Sequence, residues 1–247
     1  AFSNTTISSI KIPKKIKILT EGIFLDCVKL KDLSFEEPSE LSVIEKEAFS
    51  DTIIENLSIP STICELENDW CCGTSNLYSA KIDGDNEYFI NYQDDKMILG
   101  KSDQNSSQFD VIKFVQRNVS QIEIPPYIKK IDSYAFSSSN IISIFLPPSV
   151  ERICKYCFAF CEELTMFQFH PDSKIQEIEQ YAFHYSALYS FVVIPQITSI
   201  AENAFSNCMF LYDLLIPRDS NLQVIEDDAF NNSAIYSIFI PQNIRSI

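Results

Sequence analysis

The stretch "SKIQEIEQYAF" at Ser173–Phe183 returns with few changes at Ser220–Phe230 as "SNLQVIEDDAF", 47 residues later. A looser copy, "SELSVIEKEAF", occupies Ser39–Phe49. Internal similarity at a fixed spacing of roughly 20 to 50 residues is the sequence signature of a repeat protein. These copies therefore predict a chain built from stacked, similar coils, and they set the register for the rest of the sequence.

One aromatic position, here called the phenylalanine slot, marks each coil. Successive slots are separated alternately by 22 and 25 residues, apart from one interval of 65. Short and long coils thus alternate, and the true period is a pair of 47 residues. The slots are Phe2, Phe24, Phe49, Cys71, Phe136, Phe158, Phe183, Phe205 and Phe230.

Each coil carries one predicted strand. A run such as Ile235-x-x-Ile238-x-Ile240 follows the slot, and its alternating end has the period of two expected of a half-buried strand. Proline ends such runs, as at Pro241, because it cannot donate a backbone hydrogen bond. A further aliphatic residue, predicted to point inward, lies five positions before the slot. These residues are Leu19, Ile44, Leu66, Ile131, Ile153, Ile178, Ile200 and Ile225.

A coil of this length cannot bury its apolar side alone, so stacking on its neighbours must remove that side from water. The predicted fold class is therefore a repeat solenoid. The interval of 65 residues predicts an insertion at 83–121, between N-terminal repeats at 1–82 and C-terminal repeats at 122–247. We expect one continuous solenoid, cut from a longer chain.

The insertion itself has strand signals. "EYFINYQDDKMILGK" predicts a β-hairpin around a turn at Gln93–Lys96, and "FDVIKFV" from Phe109 predicts a further strand. The alternative is two decayed coils, for which the 40 extra residues are slightly short. We expect the hairpin to pack on the flank of the solenoid, in preference to forming part of a binding surface.

Composition excludes several classes of function. The net charge of −15, with no basic patch, argues against binding to nucleic acid or an anionic membrane. Four glycines are too few for a phosphate-binding cofactor loop, so no cofactor is expected. No apolar run approaches the roughly 18 residues of a membrane span, which predicts a soluble folded protein without membrane contact.

Candidate catalytic and metal-binding residues are few. His170 and His184 have no Cys or Ser in a nucleophile setting, so no catalytic residue and no enzyme activity are expected. Cys154, Cys157 and Cys161 suggest zinc, but Cys157 and Cys161 fill apolar repeat positions and no His lies in that coil. The acidic string from Asp83 lacks the spacing of a calcium loop. We expect no metal site, and mostly free, buried thiols.

Five Asn-x-Ser/Thr triplets favour a secreted chain, although the cysteines leave the redox compartment open. The asparagines are Asn4, Asn56, Asn105, Asn118 and Asn231.

The pattern I-x-x-I-x-x-x-A-F-x-x-C-x-x-L-x-x-I-x-I-P resembles the leucine-rich repeats of the BspA-like proteins of bacterial surface antigens and protozoan parasites. The element F-x-x-C is kept at Phe24–Cys27, Phe158–Cys161 and Phe205–Cys208. The resemblance covers residues 1–82 and 122–247. It implies a leucine-rich-repeat arc with a concave parallel β-sheet, and a cell-surface or secreted protein that mediates adhesion.

The outward strand positions differ between the two halves of the chain. They are polar before the insertion, as at Lys31 and Glu55, and apolar after it, with three tyrosines predicted to stack. A cross-strand ladder, a protein-binding surface and self-association are the competing interpretations of the apolar half. The predicted partner-binding residues are Tyr189, Tyr212, Tyr236, Phe145, Val192, Leu215 and Phe239.

The predicted function is a non-enzymatic protein–protein interaction module that binds a host or matrix protein through the concave face. The alternatives are an intracellular, cytoplasmic leucine-rich-repeat scaffold and a self-associating surface protein that forms a homodimer.

Overall fold

A computed structural model describes all 247 residues, and it consists of short strands and turns without an α-helix. The chain forms two compact units, unit 1 (Ala1–Arg117) and unit 2 (Asn118–Ile247). Each unit is built of coils that stack by parallel strand pairing, which confirms the predicted repeat solenoid.

The coils of unit 1 each contain a four-residue strand and most also contain a two-residue strand. The long strands pair in twos, β1 with β3 and β5 with β7, whereas the short strands β2, β4 and β6 form one ladder. The strands are β1 (Ser9–Ile12), β2 (Ile18–Leu19), β3 (Asp32–Phe35), β4 (Val43–Ile44), β5 (Asn56–Ile59), β6 (Glu65–Leu66) and β7 (Ser79–Ile82).

The insertion forms the antiparallel strands β8 (Phe89–Tyr92), β9 (Met97–Gly100) and β10 (Val111–Val115), with β9 in the middle. The predicted hairpin and third strand are therefore confirmed, and the antiparallel pairing differs from that of the coils. The predicted boundaries at residues 83 and 121 stay predictions.

The expectation that the hairpin packs on the flank is wrong, because the insertion belongs to the core of unit 1. Met97, Ile98 and Leu99 are fully buried, and the ring of Phe114 lies 5.7 Å from that of Trp70. The amide of Asn91 bonds both the N–H and the C=O of Ile82, at 2.9 and 2.8 Å. This contact satisfies both backbone groups of the last residue of β7, at the point where the insertion begins.

Unit 2 repeats the alternation of short and long strands. The long strands again pair in twos, β12 with β14 and β16 with β18. The strands are β11 (Lys130–Ile131), β12 (Ser143–Leu146), β13 (Arg152–Ile153), β14 (Met166–Phe169), β15 (Glu177–Ile178), β16 (Ser190–Val192), β17 (Ser199–Ile200), β18 (Asp213–Leu215) and β19 (Val224–Ile225).

A column of aromatic rings forms the core of each unit. In unit 2 the slot rings follow one another at centroid distances of 4.8, 5.4, 5.1 and 5.4 Å from Phe136 to Phe230. In unit 1 the column runs through Phe49 to Trp70, which precedes the predicted slot at Cys71, and continues to Phe114. The eight aliphatic residues five positions before the slots are all buried, which confirms the register.

The cysteine of the F-x-x-C element satisfies a buried backbone carbonyl. Its thiol donates to the slot carbonyl one coil earlier, as from Cys161 to Phe136 at 3.1 Å and from Cys208 to Phe183 at 3.1 Å. None of the eight cysteines forms a disulfide, and six of them are buried. Burial raises the pKa of Cys154 to about 12 and that of Cys208 to about 11, so these thiols are inert at neutral pH.

Candidate interaction surface

The long strands of unit 2 alternate between buried and exposed side chains. One outward apolar side chain near the end of each of three strands is about half exposed: Phe145 in β12, Val192 in β16 and Leu215 in β18. Parallel pairing sets Val192 beside Leu215, whereas Phe145 lies beside Gln168. These outward side chains are here called the strand face of unit 2.

Two tyrosines extend the strand face at the start of β16 and β18. Tyr189 is 54% exposed and Tyr212 is 53% exposed, and the N–H of Tyr212 donates to the carbonyl of Tyr189 at 3.1 Å. The two residues therefore lie side by side on neighbouring coils. Their rings do not stack on each other, so the prediction of stacked tyrosines is wrong for this pair. The Tyr189 ring instead meets the edge of Phe210, with centroids 6.2 Å apart at 88°.

Tyr236 and Phe239 are exposed, but the run 235–240 is not a strand, contrary to the sequence prediction. Tyr236 is 92% exposed. The run forms no ladder with β18, the long strand of the preceding coil. Without a ladder, alternation in sequence does not fix which side chains face outward.

Sequence reasoning missed three large apolar residues at the edge of the strand face, namely Met166, Met209 and Phe210. Each is about half exposed. The sequence did contain a signal at two of these positions. Met209 and Phe210 follow Cys208, whereas the equivalent positions after Cys161 hold two charged residues, Glu162 and Glu163. They lie outside the strand pattern, so the count of outward strand positions passed over them.

The long strands of unit 1 present a polar face. Lys31 and Glu55 form an ion pair at 2.8 Å, and this hydrogen-bonded pair raises the pKa of Lys31. The pair lines an open groove of about 470 Å³ together with Ser9, Lys11, Asp32 and Asn56. The contrast between a polar and an apolar half is therefore confirmed at the level of exposed side chains.

Groups with catalytic potential are placed unfavourably for catalysis. His184 Nδ1 lies 2.6 Å from the hydroxyl oxygen of Ser206, but Ser206 is buried and its hydroxyl donates to the carbonyl of Asn203 at 2.9 Å. Burial lowers the pKa of His184. Burial also raises the pKa of Cys157, the reverse of what activates a nucleophilic thiol. No three His, Cys, Asp or Glu side chains converge as metal ligands would.

The repeat register decides the family. The chain matches the BspA-type leucine-rich repeat region, in six copies, over residues 1–93, 105–212 and 129–247. The chain belongs to the BspA-type leucine-rich repeat family. Repeats of this family are typically non-enzymatic, and leucine-rich-repeat proteins generally bind proteins.

Solved structures similar to this BspA-type chain come from bacteria. A leucine-rich cell surface protein of Faecalibacterium prausnitzii has a TM-score of 0.77 at 22% identity, over 92% of this chain and 63% of that one. The pneumococcal vaccine antigen PcpA has a TM-score of 0.69 at 20% identity, over 98% and 62%. A leucine-rich repeat protein from Eubacterium ventriosum has a TM-score of 0.62 at 14% identity, over 96% and 80%.

At these identities the likeness shows the fold alone, and the BspA-type chain spans less than two thirds of the first two structures. No curated protein matches it. The structure contains no helix with the length and hydropathy needed to cross a bilayer.

Proposed function

We propose that the strand face of unit 2 binds a protein partner, and that the chain is a non-enzymatic interaction module of a cell-surface or secreted protein. The observation that carries this proposal is the group of half-exposed apolar side chains on paired strands. Aromatic residues, methionine and few charges characterise the buried centre of protein interfaces. Tyr189, Tyr212, Leu215 and the neighbouring Phe210 have this composition.

A cross-strand ladder alone explains the face less well. Ladder residues stabilise a sheet by contacting each other across strands. Tyr189 and Tyr212 are adjacent, yet each leaves about half of its surface exposed and their rings make no contact. A large exposed apolar group on a folded protein is typical of an interaction site.

Adhesion to a host or matrix protein is the finer part of the proposal. It is supported by family membership and by the likeness to the cell surface protein of Faecalibacterium prausnitzii. The proposed contact residues are Phe145, Tyr189, Val192, Tyr212 and Leu215, extended by Tyr236 and Phe239 beyond the last strand.

The test replaces Tyr189 and Tyr212 together by Ser. Binding of the full chain to a panel of purified matrix proteins is measured by surface plasmon resonance, and self-association by sedimentation velocity. We expect the pair to weaken binding at least tenfold, because central tyrosines contribute strongly to interface affinity. The matched control replaces Lys31 and Glu55 by Ser on the polar face.

Both variants should keep the circular dichroism spectrum of the parent chain. Loss of matrix binding only in the tyrosine variant supports adhesion, and loss of a dimer supports self-association through the same face. If the Lys31 and Glu55 variant loses binding while the tyrosine variant retains it, the recognition surface lies on unit 1 and the proposal fails.

A further inference from the structure

The Asn-x-Ser/Thr triplets all place their asparagine at the surface. Transfer of an oligosaccharide to Asn needs both the amide and the hydroxyl two residues later to be accessible. The hydroxyl residue is also exposed in four of the five triplets, Ser233 being half-buried. The exposed asparagines are Asn4, Asn56, Asn105, Asn118 and Asn231.

Other asparagines in the same part of the fold have structural roles. Asn86 donates to the carbonyls of Ser61 and Ile63 at 2.8 and 2.7 Å, and Asn91 bonds both backbone groups of Ile82. Both are half-buried. The asparagines of the triplets are therefore exposed to solvent, whereas those that hold the insertion in place are partly buried and hydrogen-bonded.

Asn105 is displayed by a turn in the loop between β9 and β10. The Asp103 carboxylate accepts the N–H of Asn105 at 2.9 Å, and the Asp103 carbonyl accepts the N–H of Ser106 at 2.9 Å. This turn holds Asn105 and Ser107 in solvent. A loop of this kind also accommodates a bulky substituent without disturbing the buried strands on either side.

Asn56 lies on the polar strand face of unit 1. The period of two along β5 places Asn56 and Ser58 on the same outward side, and Asn56 lines the groove that contains Lys31 and Glu55. A glycan at this position would cover the groove.

The coils that carry the paired long strands β12 to β18 have no triplet. Between residues 119 and 230 the asparagines are followed by other residues at the third position, although Asn140 and Asn221 are exposed. The two triplets of unit 2, at Asn118 and Asn231, lie before β12 and after β18, so the paired long strands of unit 2 carry none.

We propose that the chain is N-glycosylated at Asn105 and Asn56, so that glycans cover the polar face of unit 1 and the insertion loop while the strand face of unit 2 stays bare. This rests on the proposed cell-surface or secreted location. The donor is a lipid-diphosphate-linked oligosaccharide. A bond forms between Nδ2 and C1 of the first sugar, the bond from C1 to the phosphate oxygen breaks, the lipid diphosphate leaves, and Nδ2 loses one proton.

The test uses the full chain isolated from the cells that produce it. Peptide-N-glycosidase acts in heavy-oxygen water, converting each glycosylated Asn into an Asp that carries the heavy isotope, and peptide mass spectrometry locates the label. We expect label at Asn105 and Asn56 and none at Asn221, which is exposed outside a triplet. Unmodified asparagine at both positions overturns the proposal.

A second measurement uses the chain secreted from a glycosylating host. N105Q and N56Q should each remove one glycan, and N221Q should remove none. If N105Q and N56Q leave the glycan count unchanged, the assigned acceptors are wrong. Unglycosylated chain from a bacterial host separates the two proposals, because its tyrosine-dependent binding tests the strand face independently of any glycan.

Discussion

Replacement of Phe205 by Ala tests the register on which the strand face depends. The Phe205 ring is fully buried and stacks between Phe183 at 5.1 Å and Phe230 at 5.4 Å. It also meets the ring of Phe191 at 4.7 Å. A buried Phe→Ala change costs about 3 to 5 kcal/mol, and the lost aromatic contacts favour the upper part of that range, about 4 to 5 kcal/mol.

The matched change is Tyr212→Ala, seven residues later on the strand face. Full burial of a large side chain contributes about 1.5 to 3 kcal/mol, and Tyr212 is 53% exposed, so its loss should cost about 1 kcal/mol. The loss of unfolding free energy should therefore be about four times larger in F205A than in Y212A.

Urea unfolding followed by far-UV circular dichroism measures this difference. With a slope of about 2 kcal/mol per molar urea, the F205A midpoint should fall by about 2 M and the Y212A midpoint by about 0.5 M. Trp70 is the only tryptophan, so its emission follows unit 1 in the same experiment. Equal shifts of the two midpoints would show that Phe205 and Tyr212 have been assigned to the wrong faces.

Two further predictions concern the insertion and the half-buried His184. F114A should destabilise unit 1 by about 3 to 5 kcal/mol, because Phe114 is fully buried against Trp70. A urea titration followed by Trp70 emission measures this loss. An unchanged midpoint would mean that the insertion packs on the flank and does not belong to the core. Burial lowers the pKa of His184 in the folded chain below its ordinary 6.5. Between the folded and the unfolded pKa the unfolded chain therefore binds more protons than the folded chain. The free energy of unfolding should fall as the pH drops below about 6.5. H184Q should flatten the slope of melting temperature against pH just below 6.5, and an unaltered slope would count against the assignment.

The repeat pattern predicted burial well because position in a coil determines which side chains face the core. A spacing of 22 or 25 residues returns each slot to the same place in the next coil, so the inward residues from Leu19 to Ile225 could be assigned by counting. The hairpin around Gln93–Lys96 was predictable for a local reason, since a turn between two apolar runs depends on neighbours in sequence.

The errors concern contacts that counting does not specify. The insertion has no repeat register, so nothing in the sequence indicated that Phe114 would extend the ring column beyond Trp70. The run 235–240 has the residues of a strand but no partner strand, and hydrogen bonding between coils is a property of the pair. The expected tyrosine stack failed because Tyr189 has a competing aromatic neighbour, Phe210.

A second group of tyrosines in unit 2 contrasts with those of the strand face, because its rings contact each other within the coil stack. Tyr134, Tyr156 and Tyr181 lie two positions before their slots with left-handed backbones, which cost a bulky residue roughly 1 to 2 kcal/mol each. Their rings stack in parallel at 4.7 and 4.5 Å, and such a pair contributes about 0.5 to 1.5 kcal/mol beyond burial. The two stacked pairs together contribute about 1 to 3 kcal/mol against a backbone cost of about 3 to 6 kcal/mol, so they offset roughly half of it. These rings therefore have a structural role within the coil stack. Tyr189 and Tyr212 make no such contact with each other and remain about half exposed, so the coil stack does not explain them, and the partner proposed for the strand face would.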